Sequence, residues 1–263
     1  MIDFNKTKGF ICDMDGVIYH GNYLLPGVKE FVDWLYRENK KFLFLTNNSV
    51  YTRRELSQKL ERLGLEVPEE HFYTSALATA RFLKEQSPNC SVYVIGEGGL
   101  INALYDEGIS INEVNPDYVV MGEGKTYTLD TITKATNLVM QGAKLIGCNS
   151  DVSGPIENGI MPACRALVSP VEMATGKKAY FCGKPNPLMM RSALRLLGCH
   201  SAETVIVGDR MDTDIVAGME SGTGTVLVLS GVTDRATMDT FAFRPSVVFD
   251  GVGDIVKAAE SSK

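Results

Sequence analysis

Short apolar runs alternate with helix-like segments along this chain. Residues 10–13 and 42–46 are the first two strand candidates. Between them, Pro26-Gly27-Val28 leads into a helical segment that ends near Lys40, with Phe31, Trp34 and Leu35 as its buried face. Residues 52–63 place Leu56, Leu60 and Leu63 at helical spacing, and Gly64 follows as a stop. Phe72-Tyr73-Thr74 reads as a short third strand. Further strand-like runs follow at Val92–Gly96, Tyr118–Gly122, Leu145-Ile146-Gly147, Val205–Asp209, Thr225–Leu229 and Val247-Val248-Phe249. Strands that alternate with helices in this way predict an α/β fold with a parallel sheet.

The rhythm breaks at Pro88-Asn89 and resumes in its first form after residue 180. The simplest organisation is a core of residues 1–80 and 180–263, split by an insertion over 81–179, which is the size of a small domain. The stretches 75–90 and 176–183 are then the linkers and candidate hinges. Gly96-Glu97-Gly98 and Gly122-Glu123-Gly124 echo each other after two strands of the insertion, a hint of repeated βα units. Gly96-x-Gly98-Gly99 lacks the full spacing of a dinucleotide loop.

Composition narrows the function. The 263 residues can bury a good core, and 44% hydrophobic with 22% charged residues is ordinary for a soluble protein. A net charge of -6 argues against nucleic acid or an anionic membrane as partner. No apolar stretch approaches a membrane span, and Met1–Lys8 has no apolar leader core, so a cytoplasmic location is expected. The cysteines at 12, 90, 148, 164, 182 and 199 form no Cys-x-x-Cys pair, which favours reduced structural thiols. His20, near the first acidic motif, reads as a surface loop residue.

Four motifs carry the chemistry. Asp13-Met14-Asp15-Gly16 follows the apolar run Phe10-Ile11-Cys12. Thr46-Asn47 closes the second strand. Gly183-Lys184-Pro185 and Gly208-Asp209-Arg210-Met211-Asp212-Thr213-Asp214 come later. Each has an ordinary reading: a turn for Asp13 and Asp15, a helix cap for Thr46-Asn47, a solvated loop lysine for Lys184, and turn or cap acids for Asp209 and Asp214. Asp212 competes with Asp214 for the cap. Together, and in this order, they describe one crevice. Ligands of open parallel sheets bind beyond the carboxyl ends of the strands, where the strand order reverses. Adjacent strands ending in Asp13 and Asp209 would bring four acids together there, and their mutual repulsion calls for a hard divalent cation such as Mg²⁺. Asp13, Asp209 and the Asp15 carbonyl would hold it, with Asp214 as ligand or support. Thr46, Asn47 and Lys184 would hold a phosphoryl group by a hydroxyl, an amide, backbone N–H donors and a point charge. Asp13 is then the nucleophile and Asp15 the general acid and base. Alternation along the strand turns Cys12 away from this chemistry.

At these residues the chain resembles the haloacid dehalogenase-like (HAD) superfamily of aspartate-nucleophile phosphatases. The position of the insertion resembles a C2-type cap. Phe72–Ala76, Val94–Gly98, Asn115–Val119 and Leu229-Ser230-Gly231-Val232 resemble the NagD subfamily. The resemblance implies a Rossmann-like core, an inserted α/β C2-type cap that governs specificity, and Mg²⁺-dependent hydrolysis of small phosphorylated metabolites. Nucleoside 5'-monophosphates such as UMP come first, with sugar phosphates as the alternative. Asn149-Ser150-Asp151 stands where the subfamily pattern has Asn-Pro-Asp, and Arg165 stands where relatives carry glycine. Asn149, Asp151 and Arg165 are therefore the cap candidates for reading the leaving group, against an ordinary reading as loop caps or a surface ion pair. Rival readings are a HAD mutase, which the large insertion argues against, a dehalogenase, for which Asp15 and Asp209 would have no purpose, and a binding protein without turnover.

Overall fold

The computed structural model describes residues 2–156 and 158–262; Met1, Glu157 and Lys263 lie outside the described residues. In chain order it begins with β1 (Gly9–Cys12), a small ribbon of β2 (Tyr19–His20) and β3 (Tyr23–Leu24), α1 (Val28–Arg37), β4 (Lys41–Thr46), α2 (Arg53–Arg62) and β5 (Phe72–Thr74). There follow α3 (Ser75–Gln86), β6 (Ser91–Ile95), α4 (Gly98–Asp106), β7 (Ser110–Ile111), β8 (Tyr118–Met121), α5 (Leu129–Met140) and β9 (Lys144–Gly147). Then come the hairpin β10 (Ser153–Ile156) and β11 (Gly159–Pro162), α6 (Cys164–Thr175), β12 (Tyr180–Phe181) and α7 (Pro187–Leu197). The chain ends with β13 (Thr204–Gly208), α8 (Val216–Ser221), β14 (Gly224–Val228), α9 (Arg235–Asp239), β15 (Val247–Phe249) and α10 (Gly253–Glu260).

The chain divides into two compact units. One comprises Met1–Thr46, Ser57–Tyr73 and Met190–Lys263; the other comprises Asn47–Leu56 and Thr74–Met189. The inserted unit thus takes in residues 47–56, 74–80 and 180–189 in addition to 81–179.

The first unit is built on a six-stranded sheet of order β15-β14-β13-β1-β4-β5. β1 pairs in parallel with both β13 and β4, and β13 and β14 continue the parallel ladder to β15. β1 and β13 are buried along their whole length, as strands covered on both faces must be, so their sequences are apolar runs without alternation. From β1 the chain builds outward through β4 and β5, then returns to lay down β13, β14 and β15 on the other side. The order therefore reverses between β1 and β13. α1 covers the sheet with Val28, Phe31, Val32 and Leu35 at helical spacing, and Trp34 meets Phe10 edge-on at 5.4 Å. Burying such side chains contributes about 1.5–3 kcal/mol each. The helix stops at Asn39, whose φ of 54° is left-handed. Lys40 then ties the N-terminal segment down by donating to the carbonyls of Phe4, Asn5 and Thr7.

The second unit has a five-stranded sheet of order β12-β9-β8-β6-β7, parallel throughout. Val92, Ile95, Val119, Val120, Leu145 and Ile146 form its core with residues of α3, α4 and α6. One sequence expectation needs correction. The stretch 75–90 is no open linker, because Ser75–Gln86 is α3. Its alanines and leucines are strong helix formers, and the Thr74 side chain caps it by accepting from the Leu77 N–H. Gly98-Gly99 has a structural explanation: the Gly99 N–H donates to Val50 O at 2.9 Å, and a Cβ there would meet Tyr51 O at 2.6 Å. The glycine lets two backbones touch.

Candidate active site

The acidic site grows from the ends of two neighbouring strands. The parallel register pairs Cys12 with Val207, and the ladder runs one step past β1, where the Asp13 N–H donates to Val207 O at 2.8 Å. Asp13 therefore leaves the sheet beside Gly208-Asp209. A π-helical turn over Met211–Ile215 brings Asp214 back to the same edge, where its Oδ2 accepts from the Arg210 N–H at 3.1 Å. Oxygens of Asp13, Asp209 and Asp214 lie within 4.8 Å of one another, and all three residues are buried. Asp212 does not join them. It is exposed and paired with the Arg210 guanidinium at 2.8 Å, which resolves its competition with Asp214.

Glycines make room for these acids. Gly16 has a φ of 75°, and a Cβ on it would stand 2.6 Å from Asp209 Oδ2. At Gly231, in the loop after β14, a Cβ would be 2.1 Å from the same oxygen. That loop also serves Asp209: the Val232 N–H donates to its Oδ2 at 2.7 Å, and the Ser230 hydroxyl holds Gly16 O at 2.7 Å. Gly231 and Val232 were visible in the sequence only through the resemblance, with no role attached. Three carboxylates packed this closely repel one another in a low-dielectric site. As hard oxygen donors they fit a divalent cation of the Mg²⁺ kind.

Asp15 stands apart from the three. Its side chain is exposed, and its Oδ2 accepts from the Tyr19 hydroxyl at 3.2 Å. Thr46 is buried at the end of β4, the other strand beside β1. Cys12 is fully buried, and burial, with the Asp13 charge adding to it, pushes its thiol far above the usual range, so it is no nucleophile. His20 is exposed, against Tyr23.

In the inserted unit the remaining candidates form a hydrogen-bonded set. Asn47 brackets the Lys184 backbone: its Oδ1 accepts from the Lys184 N–H at 2.7 Å and its Nδ2 donates to Lys184 O at 3.0 Å. The same Nδ2 donates to Asp151 Oδ2 at 2.9 Å. The Asn47 side-chain amide is thus engaged with protein groups. Lys184 is only 2% exposed, an unusual state for an ammonium-bearing side chain. Asn149 is fully buried and donates to Asn47 O and to Glu123 Oε1, while its Oδ1 accepts from the Asp151 N–H. Arg165, on α6, pairs with the buried Glu172 at 2.8 Å and lies 5.1 Å from the Phe181 ring centroid. Its backbone N–H donates to Asp151 O at 3.0 Å.

Residues 10–110 match the family described as haloacid dehalogenase-like hydrolase, and residues 181–255 match the HAD-hydrolase-like family. Ribonucleotide monophosphatase NagD of Escherichia coli K12 is 43% identical across 94% of this chain and 98% of its own. The chain belongs to the HAD hydrolases, as a phosphatase of the NagD type. A dihydroxyacetone phosphatase of Corynebacterium glutamicum (strain R) is 46% identical over 94% of this chain and 90% of its own length. The solved structure of a 4-nitrophenylphosphatase from Thermotoga maritima superposes with a TM-score of 0.94 at 33% identity, over 98% of this chain and all of that one. In this HAD chain the sequence reasoning passed over two further residues beside Asp15, namely Tyr19 and Lys59, whose ammonium sits 3.6 Å from the Tyr19 ring centroid. Lys59 sits among the charged positions of an amphipathic helix, and nothing in the pattern separates it from its solvated neighbours.

Proposed function

We propose that the protein hydrolyses phosphate monoesters of small metabolites through an aspartyl-phosphate on Asp13, with Mg²⁺ as cofactor. The observation that carries this is the buried group of Asp13, Asp209 and Asp214 at the point where the strand order reverses. Asp13, Asp209, Asp214 and the Asp15 backbone carbonyl are the groups that would hold the cation. When bound, it offsets the negative charge of the carboxylates and the phosphoryl group.

An Asp13 carboxylate oxygen attacks phosphorus, and the bond from phosphorus to the leaving oxygen breaks. Asp15 gives that oxygen its proton. Asp15 then takes a proton from water, the water oxygen attacks the aspartyl-phosphate, and inorganic phosphate leaves with Asp13 restored. The Thr46 hydroxyl, the Asn47 backbone and the Lys184 ammonium hold the phosphoryl oxygens. The Asn47 side chain supports the last of these by bracketing the Lys184 backbone. Asn149 and Asp151 belong to the same support, and Arg165, one-third exposed, is the cap candidate for influencing the leaving group. The free cysteines support a reducing, cytoplasmic setting.

Nucleoside 5'-monophosphates such as UMP are the first substrate class. The relative named for dihydroxyacetone phosphate favours a second, triose and sugar phosphates. Phosphate release from a panel of both classes, with Mg²⁺ and with chelator, separates them. A preference of tenfold or more in kcat/KM for either class decides the substrate. Turnover unchanged by chelator would overturn the metal role, and no turnover on any ester by folded protein with Mg²⁺ would leave a binding protein.

A further inference from the structure

Tyr19 stands at the first turn beyond the acidic motif, where the Gly16 N–H closes back onto Tyr19 O at 2.9 Å. Its ring is buried at 3% exposure, and its hydroxyl donates to Asp15 Oδ2 at 3.2 Å. Lys59 reaches over from α2 and places its ammonium 3.6 Å from the ring centroid, within cation–π range. A surface lysine ordinarily extends its charge into water. Here burial draws the Lys59 ammonium below the usual lysine range while the nearby Asp15 carboxylate opposes that shift. Asp15 itself is exposed, so its carboxyl would exchange among rotamers unless something held it. A buried ring clamped by a cation is a rigid donor that selects one of them.

We propose that Tyr19 and Lys59 are positioning residues for Asp15: the Tyr19 hydroxyl holds one carboxyl oxygen so that the other meets the leaving-group oxygen, and the Lys59 ammonium fixes the Tyr19 ring. This rests on the reading of Asp15 as proton donor. The consequence is chemical. An alkoxide cannot leave phosphorus without a proton, so Asp15 must be oriented when an alkyl phosphate reacts. A 4-nitrophenolate leaves as a stable anion and needs no such help. Loss of positioning therefore depends on the leaving group, whereas a merely structural defect lowers both reactions together.

The test compares kcat/KM for glycerol 1-phosphate and 4-nitrophenyl phosphate with Mg²⁺, using the full chain and its Tyr19→Phe, Lys59→Met, Lys59→Arg and Asp15→Asn variants. kcat/KM reports phosphoryl transfer to Asp13 and is blind to the later hydrolysis. Tyr19→Phe is expected to lower the alkyl value about tenfold, the worth of one hydrogen bond to a charged group, and the nitrophenyl value less than about twofold. Lys59→Met should act in the same direction by about threefold, with Lys59→Arg restoring the wild-type ratio. Equal losses on both substrates, or none on either, would overturn the proposal. Should Tyr19→Phe fail to melt cooperatively, the Lys59→Met to Lys59→Arg contrast decides in its place. If Asp15→Asn keeps its alkyl turnover, the reading of Asp15 fails and takes this proposal with it. If Asp15→Asn is dead on alkyl phosphates and Tyr19→Phe is unchanged, only the positioning role fails.

Discussion

Beyond the ends of β1 and β13, three carboxylates of like charge are held within 4.8 Å of one another. Beyond the end of β9 gathers a second group of polar residues, in which Asn149 and Asn47 are buried and Asp151 and Glu123 half-buried. There, however, Asn149, Asp151 and Asn47 bond to one another, to Glu123 and to the Lys184 backbone. Both loops follow a buried strand of a parallel sheet, and both drew attention in the sequence. The difference lies in the balance of charge and donors within each group. A network of amides and two carboxylates, with the amides as donors, can close on itself and rigidify what it touches, here the backbone that carries a buried lysine. Three carboxylates have no hydrogen to offer one another. Such a cluster is stable only with charge supplied from outside it, which is the mark of a reaction site. On the proposed reading the same residue types do different work: Asp209 would belong to chemistry, and Asp151 to the scaffold that holds Lys184.

Substitution should separate the two regions. The largest effect is expected from Asp13→Asn, which removes the nucleophile and should cut phosphate release at least about a thousandfold while the circular dichroism spectrum stays that of the wild type. Activity near the wild-type level would remove Asp13 from its role. Next comes Asp214→Asn, expected to raise the Mg²⁺ concentration for half-maximal activity about 10–100-fold. In chelator this variant should melt no lower than the wild type, because a like charge has left the cluster. A lower melting point there would mean that the acids are not in mutual repulsion. Asn47→Ala should raise KM about tenfold and lower the thermal midpoint by about 2–8 °C, through loss of its hydrogen bonds to Lys184 and Asp151. Its Mg²⁺ requirement should not move, and a shift would break the distinction drawn here. The smallest effect belongs to Arg165→Lys. The cation facing Glu172 is kept, the flat contact with Phe181 is lost, and the relative kcat/KM for nucleotide and triose phosphate should change only severalfold with a midpoint within about 4 °C.

The parallel strands and the acids were legible in the sequence because buried parallel strands leave unbroken apolar runs, and Asp13 and Asp209 each stand at the end of one. That the two strands are neighbours was a condition of the sequence reading, and the β1–β13 pairing meets it. Other features left weaker traces. The ribbon β2–β3, the strand β7 and the edge strand β12 are two residues long, too short for any periodicity. The helix α3 was passed over because the Pro88-Asn89 break drew the boundary too far along the chain. Asn47 was read as a phosphate donor and Asn149 as a reader of the leaving group because an amide's partners can lie far along the chain, as the bond from Asn149 to Asn47 does. Lys59 carried no signal at all, being one cation among several on α2.

The pairing of β1 with β13 has a consequence for how this protein comes into being. Gly9 is laid beside Thr204, so the strand that carries Asp13 gains this neighbour only after nearly two hundred further residues have been made. At synthesis rates of about 5–20 residues per second, that is a wait on the order of 10–40 s. During that interval every strand of the inserted unit's sheet, from Ser91 to Phe181, has already emerged and can pair locally. The nascent chain thus holds the inserted unit's sheet before the sheet of the first unit is complete, and the acids converge only when the last third of the chain arrives.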